Sequence, residues 1–397
     1  MPDHAIRPHA SPRVGRVTPT LERRRAIAGF AAFGLFWGAW GAVLPAVREA
    51  AGVTDGELGA ALLMVGLGAL LSMRLTGFLI DRYGGVVLPV AMLLFGLCGV
   101  LPALSGSAIA LGGALFLLGA ASGATDVAIN TAGSNAEALT SRPLMNLAHG
   151  LFSVAVVVAS LATAGMRAVG AGALPVLGGV FVLTAVVTVT ALVPGARSPV
   201  IRAGRRTPRR KFRAEPALLI FGGVCALAYV VENAWQSWSA VHLDTTLGAA
   251  PALASSAPAV FAAAAATGRI SGNALLRRVQ PIRLLMIGAV VAAAGTLLAA
   301  TAGSAWVALA GIGVAGLGTS VCAPTIIGIA GTWAGPDRRA GAISTVTTIA
   351  YLGFLLGPAA VGVVSAVWSL PAALGAVAVL ALLVALLAPA VRRAAAT

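Results

Sequence analysis

Charge is what this sequence has least of. Asp, Glu, Lys and Arg make up 10% of its 397 residues, against roughly a quarter in an average water-soluble domain. Too few charges remain to clothe even one large aqueous domain, so an ordinary soluble globule is excluded. Cysteine is nearly absent as well. Cys98, Cys225 and Cys322 all lie in apolar runs with no CxxC pair, which excludes a disulfide framework and a zinc site. There is no Walker loop, no HExxH and no GxSxG, so nucleotide-driven pumping and common hydrolase chemistry have no support. No metal and no cofactor is expected, and the chain does not read as an enzyme.

What is present is apolar. Hydrophobic residues reach 59%, mean hydropathy is +0.95 and glycine numbers 49. Glycine at that level suits helices that pack closely in lipid. A bilayer-spanning helix needs about 20 mainly apolar residues. With that ruler, runs fall near 26–47, 56–79, 86–104, 108–134, 147–166 and 172–193. A second set falls near 216–240, 252–275, 283–301, 304–331, 340–366 and 368–391. The expected fold is an all-α membrane protein of twelve transmembrane helices in two parallel-repeat halves. Its expected domains are a basic cytoplasmic tail (1–25), a six-helix half (26–193), a basic linker (194–215), a second half (216–391) and a short tail (392–397).

The formal charge of +15 is distributed unevenly. Eight of the 27 basic residues lie between Arg197 and Arg213, six precede residue 26, and most others sit in short gaps between runs. That pattern fits cytoplasmic loops lying against anionic lipid, and excludes nucleic-acid binding. With both termini inside, only Arg48 and Arg167 fall in external segments. The expected location is therefore the inner membrane, multi-pass, with N- and C-termini cytoplasmic.

The halves match at an offset of 195 residues. Trp40 falls on Trp235, Gly123 on Gly318, Arg74-Leu75-Thr76-Gly77 on Arg269-Ile270-Ser271-Gly272, and Arg82 on Arg277. Parallel six-helix repeats are a transporter plan.

An ionisable group inside a membrane helix costs at least roughly 2.5–3.5 kcal/mol and is a functional candidate by default. Asp126, Asn130 and Glu137 share one face of the fourth run, spaced four and seven apart. In the seventh run, Glu232, Asn233 and Gln236 lie among Tyr229, Trp235 and Trp238, and the first run adds Trp37 and Trp40. Aromatic rings beside a few hydrogen-bonding groups suit a small polar organic solute. Asp126 and Glu232 lead as proton-coupling or substrate-binding carboxylates, against the alternative that either is structural. His149 and Arg269 are lesser candidates. Gly311-Ile312-Gly313-Val314-Ala315-Gly316 satisfies G-x-G-x-x-G, but no strand precedes it. Its glycines are expected to allow close helix approach, like Gly34/Gly38, Gly119/Gly123 and Gly353/Gly357.

The segment Gly77-Phe78-Leu79-Ile80-Asp81-Arg82-Tyr83-Gly84-Gly85 resembles the loop signature between helices two and three of the major facilitator superfamily. Asp126-Val127-Ala128-Ile129-Asn130, Glu137, Arg142-Pro143 and His149-Gly150 resemble its bacterial branch near the fucose-type sugar permeases. The resemblance implies that Gly77, Asp81, Arg82 and Gly84 form a cytoplasmic conformational latch, and that helices one, four, seven and ten line a central cavity. Two departures stand out: Gly85 replaces the usual arginine, and Leu276 stands where the second copy of Asp81 would fall. The fifth run has no proline, unlike the drug-antiporter branch. The expected function is secondary active transport of a small polar, sugar-like solute, coupled to protons, by a monomer. The alternatives are an efflux antiporter for drugs or metabolites, and a membrane ligand sensor that moves nothing.

Overall fold

The computed structural model describes residues 19–140, 144–193 and 215–396. Most of the basic tail, nearly all of the linker and the Arg142-Pro143 pair lie outside the described residues. Helices account for nearly everything described, and no strand occurs among these residues. The N-terminal half contains α1 (Pro19–Ala51), α2 (Asp55–Tyr83), α3 (Val87–Val100), α4 (Ala108–Thr140), α5 (Met145–Ala168) and α6 (Ala173–Val187). The C-terminal half contains α7 (Pro216–Val241), α8 (Pro251–Leu275), α9 (Pro281–Ala300), α10 (Ala305–Thr319), α11 (Cys322–Trp333), α12 (Gly335–Val367) and α13 (Leu370–Ala396).

The tenth expected run is thus broken at Ser320-Val321, giving α10 and α11 as two halves of one span, with Pro324 in the first turn of α11. Among the described residues, ten helical stretches are long and apolar enough to cross a membrane. One of them, Asp55–Leu104, holds both α2 and α3. The helix missing from that set is α8, whose two prolines and three serines dilute its hydropathy. It nevertheless packs as its counterpart α2 does, which brings the spans among the described residues to twelve.

Local signals account for the helix ends. Thr54 accepts the Glu57 N–H while the Glu57 carboxylate accepts the Thr54 N–H, a capping box that starts α2. Gly84 ends it at φ +65°, a conformation that a side chain would strain. Prolines open α7, α8 and α9, where the missing N–H has no partner to lose.

The two halves repeat one packing scheme. α1 packs on α5 as α7 packs on α12, α2 on α4 as α8 on α10, and α3 on α6 as α9 on α13. Glycines set the closest approaches. A Cβ at Gly38 would fall on the Val156 backbone of α5, one at Gly119 on the Val65 backbone of α2, and one at Gly353 on the Ala226 backbone of α7. The G-x-G-x-x-G run has the same purpose: Gly311 meets the α9 backbone and Gly316 the α8 backbone. Between halves, α2 packs on α12, α5 on α8, and α1 on α7.

One end of the bundle carries the α1–α2, α5–α6 and α7–α8 turns and little charge; the other carries most of the arginines. The apolar core is continuous across both halves toward the charge-poor end, joining Phe36, Val43 and Leu58 to Trp235, Trp238 and Phe261. At the basic end, the C-terminal half has a separate core around Phe221, Ile326 and Val346.

Candidate substrate pathway

α7 packs against α1, α8, α10, α11, α12 and α13, and few of its polar side chains stay exposed. Gln236 is one that does. One turn away, a Glu232 oxygen accepts from Arg269 of α8 at 2.7 Å and from the Gln236 amide at 3.2 Å. Arg269 keeps 43% of its side chain exposed while Glu232 keeps 11%. The guanidinium therefore spends one edge on the carboxylate and leaves the rest accessible. A spacing of four on α7 brings Glu232 and Gln236 onto one face, and the adjacency of α7 and α8 supplies the cation. Tyr229, half-buried, lies within electrostatic reach of both Glu232 and Arg269.

Asp126 lies midway along α4, half-buried. Its carboxylate accepts from the Asn130 amide at 3.1 Å, and the same amide donates to the Asp126 carbonyl at 2.8 Å. No cation pairs with Asp126 among the described residues. Across the boundary between halves, Tyr351 of α12 is within electrostatic reach of Asp126 and also of Tyr229. Tyr351 was not among the sequence candidates. Its signal was rarity: the chain has three tyrosines, and two of them lie within electrostatic reach of each other here.

Other candidates are placed elsewhere. Asn233 donates to the Phe354 carbonyl of α12, which Pro358, lacking an N–H, cannot satisfy within the helix. The Trp238 indole donates to the Pro358 carbonyl at 3.1 Å. Trp235 is fully buried and donates to Thr296 of α9 at 3.0 Å, which fixes packing inside the C-terminal half. Trp40 is buried and stacks on Phe36, while Trp37 packs edge-on against Phe33 and Phe36. Glu137 accepts the Leu144 and Met145 N–H groups at 2.6 and 2.9 Å, capping α5. His149 is exposed, with its ring edge-on to Phe30.

In the loop signature, Asp81 and Arg82 are exposed and form no ion pair among the described residues; Arg82 lies over the Tyr83 ring. Gly77 has open space where a Cβ would stand. The firm contact at this loop comes from α1. Arg25, 1% exposed, donates to the Gly85 carbonyl at 2.7 Å, to Leu192 at 3.0 Å and to Glu22 at 2.9 Å. A guanidinium thus does reach the position where the signature's usual arginine is missing. Among the described residues no group of three His, Cys, Asp or Glu could hold a metal, and the three cysteines are free.

A family model described as Major Facilitator Superfamily matches residues 220–396. An uncharacterised MFS-type transporter of Yersinia pestis is 32% identical over 91% of this chain and 93% of its own length. The chain belongs to the major facilitator superfamily. It is a multi-pass membrane transporter, as that family implies. Membrane protein MosC of Rhizobium meliloti is 29% identical over 83% of this chain and 80% of its own. Among solved structures, a variant of the nucleoside transporter NupG superposes with a TM-score of 0.78 at 14% identity, covering 94% of this chain and 99% of its own. The E. coli fucose:proton symporter FucP, also as a variant, gives 0.60 at 14%, over 94% and 99%. At such identities these structures share the fold alone.

Proposed function

We propose that this major facilitator protein moves a small polar, sugar-like solute across the inner membrane, driven by protons. The positive-inside rule places the basic end and both termini in the cytoplasm. The observation that carries the reading is a polar group at mid-helix depth where the halves meet: Asp126 and Asn130 on the N-terminal side, Tyr229, Glu232, Gln236, Arg269 and Tyr351 on the C-terminal side. Rocking the halves about such a site exposes it to each side in turn.

The two acids divide the work. Glu232 is held by a guanidinium and an amide, so it orients these donors toward the solute. Asp126 has only an amide partner, so it is the group that gains and loses the proton. Hydroxyl-rich rings suit such donors and acceptors beside aromatic faces. Structural relatives named for nucleosides and fucose support the solute class, and the name fucose:proton symporter supports proton coupling. The transporter acts as a monomer in this reading.

The test is flux in proteoliposomes under an imposed pH gradient, after a thermal-shift screen of sugars, nucleosides and acids at two pH values. A binder raises the melting temperature by mass action. The expected result is pH-driven uptake of a binder, lost in Asp126→Asn. Ligand binding with no flux in either direction would turn the reading to a sensor.

A further inference from the structure

The charge-poor end, outermost in the orientation above, holds only two basic residues among those described, Arg48 in the last turn of α1 and Arg167 in the last turn of α5. Both belong to the N-terminal half. On the C-terminal half at this end, half-buried Asp244 is the one carboxylate among the described residues. Asp244 follows α7 and lies within electrostatic reach of Arg167, Arg48 and Glu49. Arg48 stands 2.9 Å from Asp55, which opens α2. The other Asp55 oxygen accepts from Ser365 of α12 at 2.8 Å, directly across the boundary between halves.

Backbones meet around this cluster. A Cβ at Gly59 of α2 would come within 2.6 Å of the Gly362 Cα of α12, and one at Gly56 within 2.8 Å of Ala366. Nearer mid-bundle, Gly41 of α1 faces the Gln236 carbonyl of α7 and Pro258 of α8. This is the end where one apolar core runs through both halves; at the basic end the C-terminal half keeps its own. Glycine contacts supply a tight fit. They do not say how the fit is released, whereas polar contacts at a partly exposed rim can be exchanged for contacts with water.

We propose that Arg48 and Arg167, with Asp55, Ser365 and Asp244, form the releasable lock of the outer gate, closed in this structure. Arg48 and Asp55 build a charged corner on the N-terminal half. Ser365 hydrogen-bonds to that corner, and Asp244 is drawn to it and to Arg167 through space. Outward opening separates Ser365 from Asp55 and Asp244 from both arginines. The two arginines depart from the charge asymmetry that orients the chain because this rim needs positive charge opposite Asp244.

Spin labels report the gate directly. Val169 and Trp368 lie in outer turns of opposite halves, 85% and 74% exposed. They would be replaced by labelled cysteines in full-length protein with Cys98, Cys225 and Cys322 changed to Ala, reconstituted in phosphatidylethanolamine–phosphatidylglycerol vesicles. The unmodified lock gives the reference distance distribution. In R48Q/R167Q the longer-distance population is expected to rise about threefold to tenfold, with a smaller rise in Asp244→Asn and in Ser365→Ala. An unchanged distribution in R48Q/R167Q at wild-type melting temperature would overturn the lock. If that variant does not fold, an unchanged distribution in both Asp244→Asn and Ser365→Ala does so. The readout needs no solute and no proton gradient, so it stands or falls apart from the transport reading.

Discussion

The N-terminal and C-terminal halves share a scaffold but differ in what they carry at the centre. Arg74 and Arg269 are equivalent by the offset of 195, and both are exposed on equivalent helices. Arg269 finds Glu232 on the adjacent α7. The position equivalent to Glu232 on α1 is Trp37, packed among phenylalanines, and Arg74 has no acid partner among the described residues. The N-terminal half instead places its acid on α4, where Asp126 has no cation. A repeat can therefore preserve helix packing while its polar groups move to non-equivalent positions. The pair of acids differs in kind, one neutralised and one not.

Substitutions can break that comparison. The largest effect is expected for Asp126→Asn: proton-driven accumulation in proteoliposomes is abolished, while solute exchange without a gradient persists. Next, Glu232→Gln leaves Arg269 without its counter-charge and should lower stability by about 1–2 kcal/mol, less than for a fully buried pair because Arg269 is partly wet. The double variant E232Q/R269Q should recover part of that loss in thermal melts, since neither partner is then stranded. Trp235→Phe removes one buried hydrogen bond to Thr296 and should cost about 1 kcal/mol with transport intact, separating packing from pathway. The smallest change is expected for Arg74→Gln, within about 0.5 kcal/mol and with flux unaltered. A transport defect in Arg74→Gln as deep as that in Arg269→Gln would show that the two arginines do the same work.

The membrane fold was legible because lipid imposes long apolar runs, short turns and clustered glycines. The glycine pairs found from spacing alone, such as Gly119/Gly123, do face neighbouring backbones. Element detail was less legible. The break between α10 and α11 leaves hydropathy unchanged, and α8 looks weak because prolines and serines lower its hydropathy. For the pathway, residue type and helical spacing identified the Asp126–Asn130 and Glu232–Gln236 pairs. They did not separate residues left partly exposed from those used to join helices. Asn233, Trp235 and Glu137 look equally functional in sequence, yet their partners are carbonyl, hydroxyl and amide groups of neighbouring elements. Such partners come from distant parts of the chain, so no local pattern announces them. Tyr351 went unnoticed for the same reason.

The join between Asn233 and the Phe354 carbonyl bears on how the C-terminal half moves. A proline bend is ordinarily a soft spot, since the freed carbonyl is indifferent to small changes of angle. Here an amide from the next helix grips that carbonyl, and an indole grips the proline's own oxygen four residues later. The bend is thereby splinted. α7 and α12 should swing together as one stiff plank, with the flexing left to the connections outside it.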